Sequence, residues 1–414
     1  MDVEEALRTI GVVLAVGLIA VPIAGLLRLP SMVVLVAAGV VAGPQALGLV
    51  DVPIDAPGPA LLFSMGVALI LFHGGMGISL RVIRETAIGL LLLAIPGVAL
   101  TAAITGAAIQ PLFDVTWPIA LMAGAALGAT DPAILIPLFE RLGLRPRVSQ
   151  TVIAESAIND PMGTILTLTL SGIVVAGGLT GGAFASDGPL LDFLRSIGIG
   201  LVIGVVGGVL IAALLSSTRL GVLRESAAAT LLALVALAYA GAEATGGSPY
   251  LAAFIAGLIV GNKDLLRIDH DHEQERTLDT YVSQTADIVV LGIFVVLGLN
   301  LDVRALIDNL WLGLAVMAVF ILVARPITVA VCLGLDRRAR WTREEKVFIT
   351  WCRETGVVPV AVAALLLADG VPGAKLVATL VTFAVVVTLL VQATTAGALA
   401  HRLGLVEGPA RRVD

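Results

Sequence analysis

The sequence GATDP at residues 128–132, followed by ESAINDP at residues 155–161, decides the fold of this chain. Each stretch interrupts a long apolar segment with polar and ionisable side chains and ends at a proline. Ionisable groups at the depth of a bilayer are costly, and they mark ion pathways, proton relays or catalytic sites. Proline removes a helical hydrogen bond and frees backbone groups. The two stretches therefore predict interrupted membrane helices around one polar site.

The composition indicates a membrane protein. Of the 414 residues, 58% are hydrophobic and only 14% are charged, whereas soluble domains carry about 25% charged residues. Mean hydropathy is +1.04, and the 45 glycines suit closely packed membrane helices. We therefore expect an all-α polytopic membrane protein surrounded by lipid, with no nucleic-acid partner and no cofactor. Cys332 and Cys352 show no metal-ligand spacing and are expected to be buried free thiols.

Thirteen apolar segments are candidates for membrane spans, since a helix needs about 20 apolar residues to cross the hydrocarbon core. They lie near residues 8–28, 31–48, 58–78, 86–109, 117–139, 148–177, 190–216, 225–243, 248–262, 282–299, 309–335, 344–368 and 374–400. The predicted organisation is a single transmembrane domain, residues 1–405, followed by a short cytoplasmic tail, residues 406–414.

The placement of Lys and Arg predicts the orientation. With alternate connections assigned to opposite sides, nineteen of the 25 basic residues fall on one side and four on the other, while Arg325 and Arg353 lie within spans. Basic residues collect on the cytoplasmic side of a membrane. The N-terminus is therefore expected outside and the C-terminus inside, in a prokaryotic plasma (inner) membrane.

A short internal sequence repeat relates the second and ninth segments. PSMVVLVAAGVVAG at residues 30–43 and PYLAAFIAGLIVG at residues 249–261 both begin with proline and end in Ala-Gly-x-x-x-Gly. An offset of seven segments gives the copies opposite orientations, as in inverted-repeat transporters. Spans 1–6 then mirror spans 8–13, and the fifth span, with Asp131, mirrors the twelfth, where RETG at residues 353–356 interrupts the apolar pattern. Paired interrupted helices indicate a central binding site.

The depth of each buried charge follows from its position in its span. At about 1.5 Å per residue, Asp131 and Asp160 lie roughly 18–21 Å from the ends of their helices, near the bilayer middle. Glu155 lies on another helix face, about 7 Å nearer the cytoplasm, at a level that Arg325 and Arg353 also reach. We therefore expect a buried structural ion pair between Glu155 and one of these arginines, and the sequence leaves open which one.

The midplane aspartates have no arginine assigned to them in this scheme. Carboxylates taken out of water titrate closer to neutral pH, and two of them close together hold a proton or a hard monovalent cation in mutually exclusive fashion. Thr130, Ser156 and Asn159 add neutral oxygens that suit a partly dehydrated Na⁺ or K⁺. For Asp131 a second interpretation stays open, in which its carboxylate caps the broken helix.

These motifs match a known family. ATDP at residues 129–132 together with ESxxNDP at residues 155–161 resembles the NhaP-type sodium/proton antiporters of the monovalent cation:proton antiporter-1 (CPA1) family. LFHGGM at residues 71–76, VARP at residues 323–326 and FITWCR at residues 348–353 are similar to further motifs of that family. The resemblance runs from the first span to about residue 405.

The resemblance implies thirteen helices, a homodimer and alternating access, in which a core domain moves against a dimerisation domain. The core corresponds to about residues 86–177 and 309–400, and the dimerisation domain to about residues 8–78 and 190–299. An asparagine before the second aspartate implies electroneutral exchange of one proton for one cation. A carboxylate neutralised by either ligand then crosses without a bare charge in low dielectric.

The resemblance also implies roles for individual residues. Asp160 carries the cation or the proton, and the residues that bind Na⁺ (or K⁺) with it are Asp131, Thr130 and Ser156. The residues expected to support the site structurally are Glu155, Asn159, Arg325 and Arg353, and the resemblance implies that Glu155 pairs with Arg325 and Asn159.

Two positions depart from the family pattern and are possible modulators. His73 stands where the third-span motif often has an acidic residue; it either changes the charge and pH response of the ion path or is a polar residue near the dimer interface. Glu354 follows Arg353 where the family usually has glycine. It either neutralises Arg353, which leaves Arg325 for Glu155, or adds a carboxylate near the ion path.

The leading hypothesis is a secondary transporter, not an enzyme, that exchanges protons for Na⁺. K⁺ is the close alternative, because the similarity around residues 69–76 and 323–353 also reaches the potassium/proton branch. An intramembrane aspartyl protease is a rival, since two aspartates can share a proton, but such enzymes carry Gly-x-Gly-Asp and here Ile158-Asn159 precedes the aspartate. A channel would show repeated polar rings, whereas this chain has one localised site.

Overall fold

A computed structural model describes residues 3–27, 29–53, 56–81, 83–130, 139, 142–177, 188–216, 223, 226–266 and 272–407. These residues are mostly helical, and one isolated β-bridge joins Leu144 to Val406. The helices are α1 Val3–Leu27, α2 Ser31–Ala42, α3 Pro57–Met76, α4 Ala87–Ala94, α5 Pro96–Phe113, α6 Trp117–Ala126, α7 Pro146–Val175, α8 Gly188–Leu214, α9 Ala227–Ala244, α10 Pro249–Gly261, α11 His272–Leu299, α12 Val303–Asp308, α13 Leu310–Val319, α14 Arg325–Leu335, α15 Arg343–Trp351, α16 Val357–Ala368, α17 Ala374–Val387 and α18 Thr394–Arg402.

The helices agree with the predicted membrane segments. Within the described part of the chain, nine helical stretches are long and apolar enough to cross a membrane, and four apolar helices are shorter. The all-α polytopic fold class is thereby confirmed, while the number of crossings stays a prediction. The shorter helices are α2, α6, α10 and α16. They are the members of the two pairs that the predicted repeat relates, the second with the ninth span and the fifth with the twelfth.

Both predicted helix interruptions are present at their predicted places. α6 ends at Ala126, and Ala129 and Thr130 are not helical; the residues that follow, from Asp131 to Leu138, lie outside the described part of the chain. α15 ends at Trp351, and Cys352–Gly356 form a non-helical, buried break before α16. We call Leu127 to Thr130 the first break and Cys352 to Gly356 the second break.

Two π-helical segments join consecutive helices, and one of them supplies hydrogen bonds at the second break. Thr388–Ala393 joins α17 to α18 and Phe320–Ala324 joins α13 to α14. The first of these segments supplies Thr388, whose Oγ1 accepts a hydrogen bond of 3.0 Å from the Thr355 amide, and Gln392, whose Nε2 donates to the Trp351 carbonyl at 2.7 Å. Single-turn π segments inside helices often occur at functional sites.

The chain divides into two compact units. The first unit comprises Met1–Ala60, Val82–Gly181 and Leu291–Asp414, and the second comprises Leu61–Arg81 and Gly182–Val290. The first unit contains both breaks, and its core includes the buried free thiols Cys332 and Cys352. The second unit has its own core, in which α3, α8, α9 and α10 contribute residues such as Phe72 and Ile211. The predicted division into a core domain and a dimerisation domain stays a prediction.

The echoed Ala-Gly-x-x-x-Gly motifs bring backbones close together. In the first unit, a Cβ on Gly39 of α2 would overlap the Val295 carbonyl of α11. In the second unit, a Cβ on Gly257 of α10 would overlap the Phe72 carbonyl of α3. The second span therefore packs on the tenth and the ninth packs on the third. In a repeat with an offset of seven, the second span corresponds to the ninth and the third to the tenth, so each of these contacts is the counterpart of the other. The two contacts therefore support the repeat, which stays a prediction.

Replacing Gly257 by alanine should destabilise the second unit, because the added methyl group meets a backbone carbonyl that cannot move aside independently. Overpacking of this kind costs about 1–3 kcal/mol, so the apparent melting temperature in detergent should fall by about 2–10 °C. Gly241→Ala in α9 is the matched control, since a Cβ there has no neighbour within 4 Å. Alanine favours helix over glycine, so this control should melt at or above the parent temperature. Equal melting of Gly257→Ala and the parent would contradict the close contact.

Candidate ion-binding site

One face of α7 packs against the first break. Proline at the start of α7 (Pro146) provides a backbone preset for the first helical turn. Ser156 and Asn159 contact Thr130, and a Cβ on Gly163 would lie 3.0 Å from the Ala129 Cβ. These three positions are spaced by three and four residues, so they lie on one face of the helix. At Gly163 the absence of a side chain lets the helix pack closely against Ala129.

Three neutral side chains form a hydrogen-bonded cluster on this face. The Thr130 amide donates to Asn159 Oδ1 at 3.1 Å, and Asn159 Nδ2 donates to Thr130 Oγ1 at 2.9 Å. Thr130 Oγ1 lies 2.8 Å from Ser156 Oγ. Both groups of the Asn159 amide are thus engaged with one residue of the break. Because Asn159 holds the Thr130 backbone and hydroxyl together, the break has a defined shape at this point.

Asp160 lies on the same face as this cluster. It follows Ser156 by four residues and precedes Gly163 by three, so it is placed between two positions that meet the first break. Its side chain is buried, with 3% of the residue exposed. Pro161 cannot donate to the carbonyl four residues earlier, so the helix has one hydrogen bond fewer beside this carboxylate. The predicted partner Asp131 lies outside the described residues, and its role stays a prediction.

Glu155 faces a different neighbour. Arg325 Nη1 donates to Glu155 Oε1 at 2.6 Å and Arg325 Nη2 donates to Oε2 at 2.7 Å, which is a bidentate pair. Nη2 also donates to the Ile349 carbonyl at 2.9 Å. Both side chains are buried. Of the two arginines that the sequence left open, Arg325 is the one that meets Glu155.

Arg353 connects the two breaks. From the second break it donates through Nη2 to the Gly128 carbonyl in the first break, and its Nη1 lies 3.3 Å from Thr101 Oγ1. Its guanidinium lies over the Phe320 ring, 5.1 Å from the centroid, at the start of a π segment. The sequence also allowed Arg353 to pair with Glu155, but in the structure Arg353 binds the first break and Glu155 binds Arg325.

The two possible modulators have different surroundings. Glu354 is fully buried within the second break, with 0% of the residue exposed, and it follows the arginine that bridges the breaks. His73 is half-buried in the last turn of α3 and belongs to the second unit. Of the predicted site residues, Ser156 and Asn159 are the ones that the structure brings into contact with Thr130 within the described part of the chain.

The sequence did not predict several buried hydroxyl and amide side chains that form hydrogen bonds inside the first unit. Thr101 Oγ1 and Thr328 Oγ1 lie 3.1 Å apart and buried between α5 and α14, and Thr388 and Gln392 bind the second break. The available signal was weak, since each is a single polar residue in an apolar span. Threonine in a membrane helix is also often satisfied by its own helix, as Thr164 is by the Asp160 carbonyl at 2.9 Å.

Glu155→Gln should destabilise the protein more than it changes cation affinity. Removing one partner leaves the Arg325 charge buried without its carboxylate, which costs about 3–5 kcal/mol. Adding Arg325→Met should recover part of this loss, because a buried ion pair is replaceable by apolar groups of similar volume.

The matched control is Glu407→Gln, which removes an exposed partner of Arg145 at 3.5 Å and should cost under about 1 kcal/mol. The measurement is the apparent melting temperature of each variant in detergent, alongside cation binding. A Glu155→Gln protein as stable as the control would contradict a structural role for the pair.

The comparisons with known proteins agree with this architecture. The family model described as sodium/hydrogen exchanger, transmembrane, matches residues 11–402. The K(+)/H(+) antiporter NhaP2 of Shewanella sp. (strain MR-4) is 34% identical over 404 residues, which cover 95% of this chain and 66% of that protein. The Na(+)/H(+) antiporter ApNhaP of Aphanothece halophytica is 28% identical over 371 residues, which cover 88% of this chain and 69% of that protein.

A solved structure of an antiporter is also similar to this chain. The sodium proton antiporter MjNhaP1 from Methanocaldococcus jannaschii at pH 8 matches with a TM-score of 0.82 at 25% identity, over 97% of this chain and 99% of that chain. This chain spans 66%, just under two thirds, of the length of the NhaP2 relative. The matches agree with the prediction of a membrane transporter rather than an enzyme. The chain belongs to the sodium/hydrogen exchanger family, the CPA1 family that its motifs predict.

Proposed function

We propose that this chain exchanges protons for monovalent alkali cations across the membrane, with cation and proton competing for Asp160. The observation that carries the proposal is the position of Asp160: a buried carboxylate on the face of α7 that meets the first break, one helical turn from Ser156 and its partner Thr130. Carboxylate and hydroxyl oxygens suit hard cations. The same carboxylate accepts a proton when no cation is bound.

The neutral cluster explains how a cation is accommodated beside Asp160. Thr130 Oγ1 accepts a hydrogen bond from Asn159, and Ser156 Oγ lies 2.8 Å from it, where either hydroxyl can be the donor. A hydroxyl that donates to its neighbour still offers an oxygen to a cation. Thr130 and Ser156 therefore replace part of the cation's hydration shell, and Asp131 joins them in the proposed site.

Charge neutrality is the physical reason for one-for-one exchange. Moving a bare carboxylate through the low dielectric of the bilayer is costly, whereas a carboxylate neutralised by either H⁺ or a cation avoids that cost. Glu155 is already balanced by Arg325, so its charge stays constant through the cycle. We therefore propose electroneutral exchange, with Glu155, Asn159, Arg325 and Arg353 holding the site in shape.

The ion is proposed to be Na⁺, with K⁺ as the alternative. NhaP2 of Shewanella sp. is named as a K(+)/H(+) antiporter, whereas ApNhaP and MjNhaP1 are named for sodium. ESAINDP and its neighbours supply oxygens that suit either ion. His73 and Glu354 are the positions proposed to adjust ion preference and pH response.

The proposal includes an assembly and an orientation. A homodimer of inverted-repeat subunits follows from the family resemblance, and the exchanged contacts of Gly39 and Gly257 are consistent with the repeat. The excess of basic residues on one side supports a cytoplasmic C-terminus. The location proposed is a prokaryotic plasma membrane.

Asp160→Asn should abolish exchange while leaving the protein folded, because the amide neither binds a proton at neutral pH nor attracts a cation. The assay is recovery of a preset pH gradient in proteoliposomes after addition of Na⁺, Li⁺ or K⁺, with at least a hundredfold loss of rate expected. The matched control is Asp114→Asn, an exposed left-handed position (φ 49°) that asparagine adopts readily. The control should transport normally.

Two results would contradict the proposal. Transport retained in Asp160→Asn would remove this carboxylate from its role. A parent protein that dissipates no pH gradient with any of the three cations would exclude the antiport activity itself.

A further inference from the structure

A groove opens on the first unit between α14, α15 and α18. Its volume is about 600 Å³, which lies within the roughly 300–1,000 Å³ of small-molecule sites. Thr130, Ser156, Asn159 and Asp160 are not among its lining residues. The groove is therefore a separate feature from the candidate ion-binding site.

The walls of the groove are mainly apolar. Val329 of α14 is buried at its base, and Leu399 of α18 and Val347 of α15 form its sides. Val347 is 49% exposed. Exposed apolar patches mark sites of interaction with membranes, ligands or other proteins, so this wall is suited to contact an acyl chain or another apolar group.

The two ends of the groove differ in chemistry. Lys346 lies near the start of α15 and Arg402 at the end of α18, and both line the same groove. Trp351 lies five residues further along α15, about 7.5 Å deeper, where its Nε1 donates to Thr395 Oγ1 at 2.8 Å. The groove thus has a cationic mouth and an apolar interior closed by an indole ring.

The position of the mouth matches a membrane surface. α15 begins at the capping box of Thr342 and Glu345, directly after the polar loop that holds Arg337, Arg338 and Arg340. The distribution of basic residues assigns this end to the cytoplasm. The cytoplasmic leaflet is the one that carries anionic lipids, and basic pockets between membrane helices on this side bind anionic headgroups.

We propose that this groove binds one anionic phospholipid, with its phosphate at Lys346 and Arg402 and one acyl chain along Val329, Val347 and Leu399 towards Trp351. Charge complementarity at the mouth selects an anionic headgroup over a zwitterionic one. The bound lipid stabilises α15, the helix that leads directly into the second break. This inference rests on the proposed cytoplasmic orientation of this end, but not on the proposed exchange reaction, to which neither the groove nor its basic residues belong.

The test uses delipidated protein in detergent, titrated with phosphatidylglycerol or with phosphatidylcholine of the same acyl chains. Bound lipid is counted by native mass spectrometry, and the melting temperature is followed in parallel. The parent should bind one phosphatidylglycerol selectively and melt at a higher temperature with it. Lys346→Gln with Arg402→Gln should weaken this binding about 10–30-fold, since each basic residue near an anionic surface contributes about 1 kcal/mol.

Arg337→Gln with Arg338→Gln is the matched control, because it removes two exposed charges from the adjacent loop that do not line the groove. Its affinity should stay within about twofold of the parent. Equal losses in both double variants, or equal binding of the two lipids by the parent, would overturn the proposal, since general surface charge or unselective lipid contact would then explain the data.

A second variant tests the location independently of charge. Ala398→Trp places a large side chain in the groove from an exposed position of α18. It should abolish the rise in melting temperature caused by phosphatidylglycerol without lowering the melting temperature of the lipid-free protein. Undiminished lipid stabilisation in Ala398→Trp would show that the lipid binds elsewhere.

Discussion

The hydrogen bond from Arg353 to the Gly128 carbonyl joins the two places where helical backbone is interrupted. In a bilayer no water satisfies freed backbone groups, so irregular backbone is tolerated only where protein or a water-filled cavity satisfies it. Each break therefore depends on side chains brought from elsewhere in the first unit. The first break receives Arg353 and Asn159, and the second receives Thr388 and Gln392. These contacts satisfy polar groups at both interruptions, and the candidate site lies beside the first of them.

The two carboxylates of α7, Glu155 and Asp160, have different surroundings because they lie on different faces of the helix. Glu155 and Asp160 are five residues apart, which turns them to different faces of α7. Glu155 meets a guanidinium in bidentate geometry, whereas the spacing of Asp160 puts it on the helix face where Ser156 contacts Thr130 of the first break. Environment, rather than residue type, assigns such groups to structural or titrating roles. In the proposed function, the Glu155–Arg325 ion pair holds α7 against α14, and Asp160 binds a proton and a cation in turn.

Much of this arrangement was predictable from sequence, because membrane helices are limited by length and by the cost of buried charge. The apolar segments, both breaks and an ion pair at Glu155 followed from those two constraints. The choice of Arg325 did not follow from these constraints, since both arginines reach the same depth and only side-chain direction separates them; the family resemblance alone pointed to Arg325. The partners of Thr388 and Gln392 were also unpredictable, because a π segment shifts the helix face at its end and leaves no clear trace in the apolar pattern.

The central claim is that cation and proton compete for Asp160, and the most direct test is proton release on cation binding. Purified protein in weakly buffered detergent is mixed with Na⁺ or K⁺ at several pH values, and released protons are counted per bound cation. At pH values below the pKa of Asp160, the account predicts that about one proton is released per bound cation. It also predicts that the apparent cation affinity falls tenfold for each unit by which the pH is lowered. Cation binding with a pH-independent affinity and no proton release across this range would contradict it.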